Sequence, residues 1–92
     1  MSDPLEKFRG LKEKLEQDGP WPKLYLFKFI IPNDNQKLAR TEELFGPEAQ
    51  VSINASRTGK YLSVSAKEVM LNPNEVVARY YKASKIEGLL SL

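Results

Sequence analysis

Apolar residues recur along this chain with two periods, and the changes from one period to the other mark out its elements. In residues 4–17, PLEKFRGLKEKLEQ, positions Leu5, Phe8, Leu11 or Lys12, and Leu15 return every three to four residues, the spacing of one helical face. Pro4 follows Ser2-Asp3 and suits the first helical position. The stripe is narrow, the remainder is charged, and Gly10 costs about 1 kcal/mol relative to Ala, so this helix depends on packing against something else. DGPWP at 18–22 cannot continue a helix and forms a stiff elbow, with Trp21 expected at the edge of the core.

The period then changes to two. KLYLFKFIIP at 23–32 is rich in aromatic and β-branched residues and reads as a strand; Tyr25, Phe27, Phe29 and Ile31 share one face, and Leu24, Leu26, Lys28 and Ile30 the other. Both faces are largely apolar, as in a central strand covered on both sides. Residues 33–47, NDNQKLARTEELFGP, open on capping residues, carry Leu38, Leu44 and Phe45 near helical spacing, and stop at Gly46-Pro47, which predicts a second helix.

Residues 48–71 alternate twice. Val51, Ile53 and Ala55 form one apolar face, and Leu62, Val64 and Ala66 another. For both faces to meet the same core, paired residue numbers must sum to an odd number, and Ile53 opposite Val64 satisfies this, placing Ala55 opposite Leu62. The connection is then the four residues 57–60, since a two-residue turn would require a positive φ at Thr58. LNPNEVVARYYKASKIEG predicts a third helix: Asn72 caps it, Pro73 takes N1, Glu75 stands at N3 of a capping box, and Val76, Val77, Tyr80, Tyr81 and Ser84 face inward up to Gly88. LLSL at 89–92 is expected as a last strand with Leu90 and Leu92 on one face and Leu89 on the other, the open one.

After the N-terminal helix the order is β-α-β-β-α-β. That order predicts an α+β fold of the ferredoxin-like kind, a four-stranded antiparallel sheet with two helices on one face and an extra N-terminal helix. Residues 1–19 form the amphipathic helix and elbow, and residues 20–92 the ferredoxin-like domain. The expected core is Tyr25, Phe27, Phe29, Ile31, Val51, Ile53, Leu62, Val64, Val76, Val77, Tyr80, Leu90 and the apolar residues of the helix after the first strand.

Ninety-two residues allow one core, and 41% hydrophobic with 28% charged residues is a globular composition. The chain has no Cys and no His, which removes disulfides, thiolate chemistry, Ser-His-acid triads and His-based metal sites. The acidic residues form no calcium loop. The reading is therefore a non-enzyme with no cofactor and no metal. A charged N-terminus without an apolar leader segment, and the lack of a long apolar run, predict a cytoplasmic protein with no membrane partner. Net charge is only +2, with Lys and Arg spread among acids, which speaks against nucleic acid.

SRTGKYLSVS at 56–65 looks like a phosphate loop and is not one. A Walker A motif requires Gly at 54 and Ser or Thr at 61, where this chain has Asn54 and Tyr61. Arg57 and Lys60 around Gly59 can still hold an anion with their side chains and the turn amides. Asn54-Ala55-Ser56 matches a glycosylation sequon by chance in a chain read as cytoplasmic.

The segments WPKLYLFKFIIP, SRTGKYLSVS and VVARYYKASKIEGLLSL, in this order and spacing over residues 20–92, resemble the YbeD-like family of small bacterial proteins, whose ferredoxin-like fold is similar to the ACT regulatory domain. The resemblance implies a regulatory or ligand-sensing module, and it names neither ligand nor catalytic residue.

The strand face turned away from the helices holds the candidate site. Lys28, Asn54, Ser56, Tyr61, Ser63 and Ser65 lie on it and Arg57 and Lys60 at its hairpin tip, a surface for a small anionic metabolite or a partner protein. Its other half is apolar, and an apolar half-face calls for a cover. Three covers compete: the N-terminal helix, a second copy packed sheet to sheet as a homodimer, or a single nucleic-acid strand. The last of these wants central stacking aromatics, where only Tyr61 is available.

Overall fold

The computed structural model describes residues 8–92. Pro4 and Leu5, read above as helix start and stripe, lie outside the described residues. Seven elements follow in order: α1 Arg9–Gln17, β1 Lys23–Pro32, α2 Asn35–Glu42, β2 Gln50–Ala55, β3 Tyr61–Met70, α3 Pro73–Ala83 and β4 Leu90–Ser91. The strands form one antiparallel sheet in the order β2-β3-β1-β4. The fold is thus α+β, with a four-stranded antiparallel sheet and three helices, consistent with the ferredoxin-like arrangement.

Parity places the core. Tyr25 pairs with Glu68, Phe27 with Ala66, Phe29 with Val64 and Ile31 with Leu62, so one face of β1 and β3 carries the large apolar side chains. Phe27, Phe29, Ile31, Val64 and Met70 are fully buried there, under Leu15 of α1 and Val76, Val77 and Ala83 of α3. Each such burial is worth roughly 1.5–3 kcal/mol. Aromatic rings fill the centre: Phe27 and Phe29 stack at 6.0 Å, and Phe29 meets Tyr80 edge-on at 5.9 Å. Tyr25 and Tyr80 join their hydroxyls at 3.0 Å.

The helices stop where their chemistry dictates. Asp34 accepts from the Lys37 amide to start α2, which ends at Glu42 rather than running to 47, with a turn and bend over residues 43–45 after it. Asn72 caps α3 by accepting from the Glu75 amide, with Pro73 at N1. The Glu75 carboxylate accepts from Leu71, one residue earlier than a capping box would have it. In α3 the buried positions are Val76, Val77 and Ala83; Ser84, expected inside, is exposed, and Tyr81 is half-buried.

α1 packs beside α3 on the helix face of the sheet. Its Leu15 is buried with Phe27 and Val77, Phe8 and Leu11 lean on the same cluster, and the Trp21 indole donates to the Leu15 carbonyl at 3.0 Å. Trp21 therefore closes the core edge, and α1, Arg9–Gln17, lies on the helix side and does not cover the opposite sheet face.

Three expected core residues lie outside it. Val51 and Ile53 are each 40% exposed: β2 is an edge strand, and α2, two turns long, sets Leu38 over Ile31, Leu62 and Val64 without reaching it. Leu90 is 62% exposed because β4 pairs it with Ile30, so Leu90 belongs to the open face, while Leu89 packs against the core instead of lying on that face.

Candidate functional site

The ladder lays out the open face row by row. Leu24 lies beside Val69; Leu26, Lys67 and Gln50 form the next row; then Lys28, Ser65 and Ser52; then Ile30, Ser63 and Asn54, with Leu90 beside Ile30. Pro32 and Tyr61 close the face, and the Ser56 amide donates to the Tyr61 carbonyl at 2.8 Å. Lys28, Asn54, Ser56, Tyr61, Ser63 and Ser65 thus share one surface. The register of β2 with β3 is the one parity requires, Ile53 opposite Val64 and Ala55 opposite Leu62.

Arg57 and Lys60 are exposed beyond the end of the sheet, in the four-residue turn closed by Gly59 at φ +76°. The turn is tethered to the end of β1: Asn33 donates through its amide side chain to the Gly59 carbonyl at 2.8 Å and through its backbone to the Lys60 carbonyl at 2.9 Å. The Gly59 amide donates to Ser56. One of the turn amides read as an anion donor is therefore already engaged, and an anion would rely chiefly on the two side chains.

The face is flat and open. Leu24 is 62% and Leu92 74% exposed, and Leu26, Val69 and Leu90 also stand in solvent. Shallow depressions of about 210 Å³ and 400 Å³ flank Lys67, the first lined by Leu26, Gln50 and Ser65, the second by Leu24, Glu48 and Val69. No Asp or Glu stands on the strand positions of this face, and Glu48 and Glu68 both line the second depression. Among the described residues the ion pairs are Lys12–Glu16 and Arg79–Glu68, so no described carboxylate neutralises Lys28, Lys67, Arg57 or Lys60. Apolar side chains and unneutralised lysines make up a contact surface. Among the described residues no group of His, Cys, Asp and Glu gathers as a metal site, and no helix is long and apolar enough to cross a membrane.

Two polar constellations on the helix side were missed in the sequence reading. Glu68 points inward opposite Tyr25, pairs with Arg79 at 2.6 Å, and accepts from the Gly46 amide at 3.2 Å. A Cβ at Gly46 would stand 2.7 Å from that carboxylate, so a side chain there would make Glu68 shift. The signal was present, since Glu68 has the parity of Leu62, Val64 and Ala66. Second, burial, with the Tyr25 hydroxyl adding to it, raises the pKa of Tyr80 well above the ordinary phenol value. Both sets join elements together; Glu68 also lines the depression beside Leu24, Lys67 and Val69.

Comparison with known proteins finds no family model, no curated protein and no solved structure that matches this chain.

Proposed function

We propose that the protein is a non-catalytic interaction module of ferredoxin-like βαββαβ architecture whose open sheet face docks a partner protein presenting acidic and apolar side chains. One observation carries this reading: among the described residues a sheet face is left without a cover, with Leu24, Leu26, Val69, Leu90 and Leu92 exposed around Lys28 and Lys67, and no Asp or Glu stands on the strand positions of that face. Scattered exposed leucines are ordinary, whereas a contiguous apolar patch marks a contact site. A homodimer packed sheet to sheet would bring the lysines of both copies into one interface, and an acidic partner would neutralise them.

An ACT-like regulatory role and membership of the YbeD-like family belong to the same proposal. What supports them is the strand order, together with the place of the three resembling segments on β1, the β2–β3 hairpin, and α3 with β4. A small anionic metabolite at Arg57 and Lys60 is the variant of this reading in which the hairpin tip does the binding. Single-stranded nucleic acid is the rival, with Tyr61 standing at the margin of the sheet and serines at its centre.

The test is fluorescence anisotropy with three probes: a peptide alternating Glu and Leu, ATP, and an oligouridine, each at two salt concentrations. The Leu26→Ser/Leu90→Ser variant should keep the wild-type melting temperature, because both positions are exposed, and should weaken the peptide at least about tenfold. The Arg57→Ala/Lys60→Ala/Tyr61→Ala variant should leave the peptide bound. Loss of ATP in that triple variant would move the site to the hairpin tip. Oligouridine binding that falls steeply with salt would replace the protein-partner reading with the nucleic-acid one.

A further inference from the structure

The outer edge of β2 is a second uncommitted surface, and its chemistry is different from that of the open face. Ser56 donates to Tyr61, the residue directly opposite it, and such bonded pairs alternate along an antiparallel ladder. Asn54 and Ser52 therefore turn their backbone groups toward β3. Val51, Ile53 and Ala55 turn theirs away from the sheet into solvent. Every residue of the strand is exposed, including Val51 and Ile53 on the helix side.

Edge strands are normally protected against further pairing by a Lys, a Pro, a bulge or an inward charge. QVSINA has none of these, although 28% of the chain is charged, and its pairing with β3 is unbroken from Gln50 to Ala55. The other edge of the sheet, β4, is two residues long and offers little template.

We infer that β2 pairs antiparallel with β2 of a second copy of this chain about a two-fold axis through Ile53, joining two sheets into one of eight strands. Self-pairing fits for three reasons. The strand is uncharged, so no like charges meet. A centre at Ile53 sets Ile53 opposite Ile53 and Val51 opposite Ala55, which engages every outward N–H and C=O of the strand. The same register continues the apolar strip across the seam on the helix side, covering the side chains that α2 leaves exposed. The contact is separate from the open face and leaves that face free on both copies, so it stands whether or not the partner-docking reading holds.

Sedimentation velocity across the micromolar to millimolar range tests it, together with single-cysteine crosslinking, which the cysteine-free chain permits. The expected result is a concentration-dependent dimer. Ile53→Lys should raise the dimer dissociation constant at least about tenfold, since it puts two like charges directly opposite each other, while the monomer keeps its melting temperature. Ile53→Cys should form a disulfide on oxidation, because paired Cα atoms in this register stand about 5.5 Å apart. Ser52→Cys, displaced from its own copy across the axis, should not. A monomer at every concentration with no Ile53→Cys crosslink would overturn the inference. So would a dimer that survives Ile53→Lys and is lost in Leu26→Lys, which would place the contact on the open face.

Discussion

Two glycines in turns show how differently the same substitution acts when its surroundings differ. Gly59 and Gly88 both hold positive φ, +76° and +83°. An added Cβ at Gly59 meets open space, whereas at Gly88 it stands 2.8 Å from Cγ of Pro32. Gly59→Ala should cost about 1 kcal/mol from backbone strain alone. Gly88→Ala should cost about 2–3 kcal/mol, because overpacking against a proline ring adds to it, and urea unfolding of the two variants should rank them in that order. Tyr80 ties stability to alkaline pH. Burial and the Tyr25 hydroxyl favour the neutral phenol in the folded chain, so the native state holds the proton above 10.0, where the unfolded phenol has released it. This contribution is complete below 10.0 and is lost as pH rises from there toward the raised folded value. Tyr80→Phe should cost about 1 kcal/mol at neutral pH for the lost hydroxyl pair and should flatten, relative to the wild type, the fall in urea stability above pH 10.0.

Among the elements, α1 is the one whose placement bears most on function. Its Leu15 is buried against Phe27 and Val77, and Trp21 holds the Leu15 carbonyl. Leu15→Ala should lower stability by about 2–3 kcal/mol, and Trp21→Phe by about 1 kcal/mol for the lost indole bond; thermal melts of both would check this, and neither variant should alter a surface on the other side of the sheet. An amphipathic stripe says that a helix has something to bury and leaves open which face receives it, so either side of the sheet suited this helix when read from sequence. The β2–β3 register was legible because both strands must turn alternate residues to one core, which leaves little freedom. Val51 and Ile53 alternate just as properly, yet alternation reports a face and not whether a helix covers it, and the covering helix turned out to be two turns long. β4 was misread for a related reason. A two-residue strand takes its phase from the loop before it, where Gly88 turns the chain and Leu89, half-buried, packs against the core, so Leu90 falls opposite Ile30 on the open face. Lys28, Asn54, Tyr61, Ser63 and Ser65 share a face as expected because each lies on a strand whose phase was fixed by large neighbours, Phe27, Phe29 and Val64, whereas Ser56, Arg57 and Lys60 follow in the turn beyond β2. The Asn33 tether on the hairpin tip joins residues 26 positions apart and has no sequence period to reveal it.

At the scale of the whole molecule the chain is a slab, with extents of 38 × 34 × 21 Å and a radius of gyration of 13.7 Å. A compact chain of this length would have a radius of gyration of about 12 Å. The difference fits a two-layer fold, with the described helices on one sheet face, and it leaves backbone groups at two unequal edges. Asn33 donates to Lys60 in the β1–β3 register, so odd-numbered residues of β1 bond to β3 and even-numbered ones point to the β4 side. Lys28 finds a partner there, its carbonyl accepting from Leu92, whereas Leu24 and Leu26 lie beyond the paired length of β4. Amide hydrogen exchange should resolve these classes. Phe27, Phe29, Val64 and Ala66, bonded at the centre of the sheet and buried, should exchange slowest, through global unfolding. Val51, Ile53 and Ala55 should exchange fast in dilute solution, as should Leu24 and Leu26. Raising the protein concentration should then slow Val51, Ile53 and Ala55 alone, because strand pairing at β2 engages their outward amides and leaves the β1 edge untouched. Leu24 and Leu26 serve as the internal reference: if they slow together with the β2 amides, the copies meet over a different surface, and if neither set responds, the edge of β2 stays solvated and the copies do not pair there.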